Sequence, residues 1–68
     1  MASSVFKMVE LVGTSRTSIE EAVNHALASK AAGENARWFQ IVETRGAIQD
    51  GNVAEWQVTV KVGLKAGD

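Results

Sequence analysis

The sequence predicts an α+β fold in which one helix packs against three strands, in the order β-α-β-β, with the strands in an antiparallel sheet. Three observations carry this expectation. Two runs rich in β-branched and aromatic residues, 36–47 and 52–64, flank the dipeptide Asp50-Gly51, whose residues accept the positive φ angles of a tight hairpin turn. Apolar residues recur at helical spacing between 15 and 32. A further β-rich run precedes that helix.

The first element is VFKMVELV, Val5 to Val12, ending at Gly13-Thr14-Ser15, which reads as a turn and helix start. Its alternation is imperfect, because Lys7 and Glu10 fall on opposite faces. Such a strand is either partly exposed on both sides or covered by a neighbouring subunit. The helix follows, from 15–18 to about 32. Thr17 with Glu20 and Ser18 with Glu21 both fit the capping-box spacing, so two starts compete. Ile19, Ala22, Val23, Ala26, Leu27 and Lys30 lie on one stripe. That stripe is made largely of alanine, which lets a helix sit close to a sheet. Gly33 is the expected C-cap.

The last two elements form the hairpin. The crossover through the helix makes the first and second strands parallel, and the simplest sheet places the last strand between them. In the last strand Trp56, Val58, Val60, Val62 and Leu64 share one face, which must be the helix side. Gln57, Thr59, Lys61 and Gly63 share the other. A two-residue turn pairs Gln49 with Asn52 and Thr44 with Gln57. That register puts Trp38, Gln40, Val42 and Thr44 on the Gln57 side, and Phe39 and Ile41 on the helix side. The final residues, 65–68, are expected to fray.

The chain has 68 residues, 46% hydrophobic and 22% charged, with a net charge of −1. This is a globular composition with room for a single domain, 1–68. Near-neutral charge without a basic run argues against nucleic acid or an anionic membrane as partner. No apolar run is long enough to span a bilayer, and Met1-Ala2-Ser3-Ser4 carries no signal-peptide hydrophobic region, so a cytoplasmic location is expected. The absence of cysteine excludes disulfides, thiolate nucleophiles and cysteine metal sites. In so short a chain the ordering cost and the hydrophobic gain nearly cancel. With disulfides excluded and a metal unpromising, oligomerisation is the expected source of stability.

Few residues offer chemistry. Trp38, on the face away from the helix, is either a subunit-interface anchor or a stacking platform for a planar aromatic ligand. Gln57 carries a donor and an acceptor suited to the edge of a heterocycle, or is a solvated strand residue. Glu43 and Arg45 form a salt bridge across a subunit contact, or Arg45 takes a phosphate or an aromatic plane. Trp56 reads as core packing. His25, the one histidine, falls off the apolar stripe and reads as exposed or interfacial. Gly13-Thr14-Ser15 is a weak candidate for anion binding at a helix start. No catalytic triad, phosphate loop or metal-spaced carboxylate cluster is present.

Three stretches together resemble the dodecin family: MVELVGTS (Met8 to Ser15), WFQIVETRG (Trp38 to Gly46) and DGNVAEWQVTVKVG (Asp50 to Gly63). The similarity covers nearly the whole chain. It implies a β-α-β-β subunit whose sheet wraps around one helix, twelve copies forming a hollow sphere, and flavins bound in pairs at twofold contacts. Two copies of Trp38 would sandwich the paired rings, and Gln57 would hydrogen-bond the ring edge. Arg45 would lie at the flavin site, with Glu43 near the ribityl chain. Arg45-Gly46 resembles the bacterial branch, for which FMN is the implied ligand, with riboflavin and FAD as related ones and coenzyme A bound by some members. The implied role is flavin storage, buffering or sequestration without catalysis. A structural oligomer without a small ligand is the alternative. A flavin enzyme would need an open ring face and a proton donor, for which Glu43 is the sole candidate.

Overall fold

The computed structural model describes residues 5–67, with side chains through 66; Met1–Ser4 and Asp68, and the expectations made for them, lie outside the described residues. Strand β1 spans Val5–Ser15, helix α1 Ile19–Ala28, a single 3₁₀ turn Lys30–Ala32, strand β2 Ala36–Gln49 and strand β3 Asn52–Gly67. The sheet order is β1-β3-β2, with β3 antiparallel to both neighbours. The predicted α+β class, element order and central position of the last strand are all found. β1 is longer than expected, because Gly13, Thr14 and Ser15 continue the ladder opposite Val58, Gln57 and Trp56. β3 likewise runs to Gly67, so Lys65 and Ala66 belong to the sheet instead of a frayed end.

Ser15 sets the entry into α1. Its buried hydroxyl accepts from the backbone N–H of Thr17 at 2.9 Å and of Ser18 at 3.2 Å, and donates to Glu21 Oε1 at 2.6 Å. Ser18 is the N-cap, accepting from the Glu21 N–H at 3.0 Å. The second of the two capping registers is therefore used. Glu21 reaches Ser15 rather than closing the box on Ser18. These bonds consume the Thr17, Ser18 and Glu21 N–H groups at the helix start internally, with the Glu21 carboxylate as the local anion. His25 Nδ1–H donates to the Thr14 carbonyl at 2.7 Å and ties the last turn of α1 to the end of β1. The regular helix stops at Ala28, with Ser29 as its C-cap, and Gly33 at φ 86° closes the 3₁₀ turn instead.

The Ser15 hydroxyl holds the Glu21 carboxyl below its ordinary value of 4.5, helped by the Thr17 side chain and the nearby His25 and opposed by partial desolvation. Because the folded-state value is the lower one, this contribution to stability is present above about pH 4.5 and is lost as pH falls through the lowered value. Glu21→Gln is expected to flatten the acid limb of stability against pH. An acid limb identical to the parent's in urea unfolding between pH 3 and 6 would show that Glu21 contributes nothing.

α1 lies on β1 and β3. Its small residues Ala22, Val23 and Ala26 meet Val58, Val60 and Val62, with Val9, Leu11, Leu27 and Leu64 around them. The contact is closest at Gly13, where a Cβ would strike the Ala22 carbonyl and approach Ala26 Cβ to 3.0 Å. Among the described residues nothing larger than valine is fully buried. The radius of gyration is 14.2 Å, against about 11 Å for a compact chain of this length. β2 and the hairpin tip account for the difference, since they project past α1 and β1.

The turn at Asp50-Gly51 is the predicted two-residue hairpin, with φ of 54° and 78°, and Gln49 pairs with Asn52. The ladder is then not straight. Ala47 pairs with Glu55 where Ile48 pairs with Val53, so β3 carries one extra residue, Ala54. Ile41 pairs with Val60 and Glu43 with Thr59, so β2 carries an extra residue, Val42. These two shifts cancel, and a third, between Ala36 and Trp38, falls at the start of β2. Trp38 to Ile41 keep their expected faces, with Trp38 opposite Gly63 and Phe39 opposite Val62. Between the bulges the faces are exchanged. Thr44 lies opposite Val58 on the helix side, and Val42 is unpaired. The expectation that Val42 and Thr44 stand beside Gln57 is therefore corrected: Arg45 pairs directly with Gln57 and Glu43 with Thr59. Gly46, beside the first bulge, is where β2 comes closest to the β3 backbone, since a Cβ there would lie 2.7 Å from the Glu55 carbonyl oxygen.

Candidate functional site

The sheet face away from α1 is open, and it carries all four residues singled out in the sequence. By strand alternation and register, Phe6, Met8, Glu10, Val12 and Thr14 of β1 point to it. So do Gln57, Thr59, Lys61 and Gly63 of β3, and Trp38, Gln40, Glu43 and Arg45 of β2. Two clusters form at opposite ends.

One cluster centres on Trp38. Its indole lies over Gly63, where a Cβ would collide with Cε2 and Cζ2 and fall 2.6 Å from Nε1. Glycine in the middle strand is thus what lets the ring extend from β2 across β3. Phe6 meets it from β1, with ring centroids 6.4 Å apart and planes at 56°. Trp38 remains 42% exposed, and Phe6 and Met8 are exposed as well. A large aromatic surface is held in place on three strands and left uncovered, an arrangement that suits a planar apolar partner.

The second cluster is polar. Gln57 is part-buried, and its Nε2 donates to Glu55 Oε1 at 3.1 Å, which orients the amide. Arg45 stands opposite Gln57 on β2, and its Nη1 lies 3.8 Å from Glu43 Oε1. Both of those side chains are mostly exposed, so the pair is loose and is worth at most about 1 kcal/mol. Arg45 keeps most of its donors for another group.

The clusters do not meet within one chain. Gln57 and Gly63 are six residues apart on β3, or about 20 Å at roughly 3.3 Å per residue. That gap exceeds the length of any three-ring heterocycle. Sequence reasoning missed three contributors: Glu55, which orients Gln57; Gly63, which makes room for the indole; and Phe6, which flanks it. The first two were accessible in principle, Glu55 as the same-face neighbour of Gln57 and Gly63 as the one glycine in the valine-rich strand interior. Gly63→Ala is expected to displace the indole and change the near-UV circular dichroism at a stability cost of about 1–2 kcal/mol. An unaltered near-UV spectrum would show that the ring does not depend on the space over Gly63.

Trp56 is half-buried on the helix side of β3, opposite Ser15, as its packing role requires. Among the described residues no group of three His, Cys, Asp or Glu is placed to hold a metal ion, and no helix is long and apolar enough to cross a membrane.

Comparison with known proteins joins these features. A family model described as Dodecin matches residues 5–66. A curated dodecin from Thermus thermophilus is 42% identical over 62 residues, covering 90% of each chain. The structure of dodecin from Streptomyces coelicolor superposes with a TM-score of 0.88 at 33% identity, covering 100% of this chain and 99% of that one. A crystal structure of a Thermus thermophilus protein gives a TM-score of 0.87 at 39% identity, covering 97% and 98%. A match over almost the whole length, at this identity and with the same β-α-β-β architecture, places the chain in the dodecin family.

Proposed function

We propose that the chain, as a single domain over 1–68, is a non-catalytic flavin-binding protein that holds FMN in pairs at contacts between copies of itself. The observation that carries this reading is the exposed Trp38 indole lying over Gly63 on an otherwise open sheet face. Its area and flatness fit an isoalloxazine ring, and riboflavin or FAD would present the same ring. Gln57, oriented by Glu55, offers an amide donor and acceptor that complement the ring's imide edge. Arg45 suits the phosphate or the ring, and Glu43 beside it the ribityl hydroxyls.

The separation of the two clusters gives this reading a further requirement. A ring stacked on Trp38 lies beyond the same chain's Gln57, so a second copy supplies one of the two groups. Self-association is independently supported by the small core and the extended shape. A closed shell of twelve subunits is the form of assembly proposed, in keeping with the family. The chemistry a bound flavin brings is light absorption followed by electron uptake. Trp38 would hold the ring by stacking, and its indole would quench the excited flavin by lending it an electron that then returns to the indole, leaving both in the ground state. Rings stacked between indoles leave no open face for a substrate, so storage, buffering and protection from light fit better than turnover. Coenzyme A is proposed only as a further ligand without assigned residues, and a cytoplasmic location as the setting.

The test is a titration of FMN with the purified protein, read by flavin fluorescence and by native mass. Strong quenching that saturates near one flavin per chain, in an assembly of many copies, is the expected result. An assembled protein that leaves FMN emission unchanged at micromolar concentration would instead mean a structural oligomer in which Trp38 is only an interface anchor.

A further inference from the structure

Met8 of β1, Gly63 of β3 and Trp38 of β2 are register partners in one row across the sheet. Gly63 adds no side chain to that row, and the indole entering from β2 takes the space. Met8 stands at the other end of the row, two strand spacings or about 10 Å from Trp38. Its side chain and the indole therefore share the same stretch of the open face. Met8 is 46% exposed, and Phe6, the next β1 residue on that face, is 44% exposed. The other residues around this end of the face are polar: Glu10, Gln40, Lys61 and Lys65. Met8 is also the one methionine among the described residues.

Three fused rings outreach an indole, so an isoalloxazine stacked on Trp38 overhangs it. Phe6 and Met8 are the apolar cover available for the overhanging dimethylbenzene part, and a polarisable thioether packs well against the edge of an aromatic ring. The thioether is at the same time the side chain there that peroxide oxidises most readily. We infer that Met8 is a further wall of the flavin site and its point of oxidative control: hydrogen peroxide turns the thioether into a sulfoxide, and flavin is then held less tightly. This rests on the flavin reading of Trp38. In the oxidation, a lone pair on Met8 Sδ attacks one peroxide oxygen, the S–O bond forms and the O–O bond breaks. Sulfur gives up two electrons, the peroxide takes them, and the second oxygen leaves as water with the proton of the first. The product is polar where the parent side chain was apolar, and it prefers water to the ring. Bound flavin in turn covers the sulfur, so an empty site oxidises faster than a filled one. Loss of flavin and oxidation of Met8 thus favour each other.

The test uses the full chain, FMN and hydrogen peroxide in the dark, with peptide mass spectrometry to follow the oxygen added at Met8. Once Met8 is oxidised, FMN affinity is expected to fall by about 2- to 10-fold, the range of one sulfur–aromatic contact. Met8→Gln, polar and of similar length, should show the same loss without peroxide. Met8→Leu, apolar but without sulfur, should bind FMN like the parent both before and after peroxide. Saturating FMN should slow oxidation of Met8 in the parent while leaving that of free N-acetylmethionine in the same tube unchanged. Equal affinity of the oxidised and untreated parent would overturn the inference. So would a loss that persists in Met8→Leu, or a rate of Met8 oxidation indifferent to bound FMN; with FMN still bound and quenched, these outcomes leave the flavin reading standing. An untreated parent that fails to bind FMN sinks the flavin reading, and the control at Met8 with it.

Discussion

Gly13→Ala is expected to cost about 3 kcal/mol or more, at the upper end of what overpacking does to a core. The reason is the identity of the obstacle. A Cβ at Gly13 meets the carbonyl of Ala22 and the side chain of Ala26 on the buried stripe of α1. A flexible side chain would swing aside; a helix backbone carbonyl cannot move without lifting the helix. Lifting it would open the contact of Ala22, Val23 and Ala26 with the valine row of β3, which is most of the core. A chain of this length has a total stability of only about 3–10 kcal/mol. The variant should therefore lose most of its folded population, or fold only as part of an assembly. Urea unfolding followed by circular dichroism checks it. A midpoint within experimental error of the parent's would mean that α1 has more freedom over β1 than the close approach allows.

Trp38→Ala is expected to weaken FMN binding by about 5- to 150-fold, from the roughly 1–3 kcal/mol that one aromatic stacking contact supplies. Fluorescence of whatever flavin still binds should recover, because the electron donor is gone. The native mass of the ligand-free variant is measured alongside. The double readout separates the two roles that the residue combines. Loss of flavin with retained mass assigns Trp38 to the ligand; loss of mass in ligand-free protein assigns it to the interface. If the variant binds FMN as tightly as the parent and still quenches it, stacking on Trp38 is the wrong account. Trp38→Phe should fall between the two, with a smaller platform and a poorer electron donor.

Much of this architecture was legible in the residues. Asp50-Gly51 required positive φ at two consecutive positions, and that defined the hairpin and its turn. The alternation from Trp56 to Leu64 identified the helix-facing row, because a period of two leaves only one apolar side. Ser18 and Glu21 marked the helix start. The exposed position of Trp38 followed from the same counting. The four site residues were named in part from family resemblance, and the structure brings them onto one face.

The rest depended on tertiary structure. The bulges at Ala54 and Val42 left no unambiguous mark in the sequence, because a bulge is decided by how a twisted ladder accommodates its neighbours. Counting straight through them placed Val42 and Thr44 beside Gln57, where Glu43 and Arg45 stand. The strand character of Gly13-Thr14-Ser15 arose in the same way. Locally these residues favour a turn, and only pairing with Trp56, Gln57 and Val58 holds them extended. Local rules determined which residues alternate and where the chain turns. The distance between Trp38 and Gln57, which sends half of the proposed site to a second copy, emerged only once three strands were laid in register.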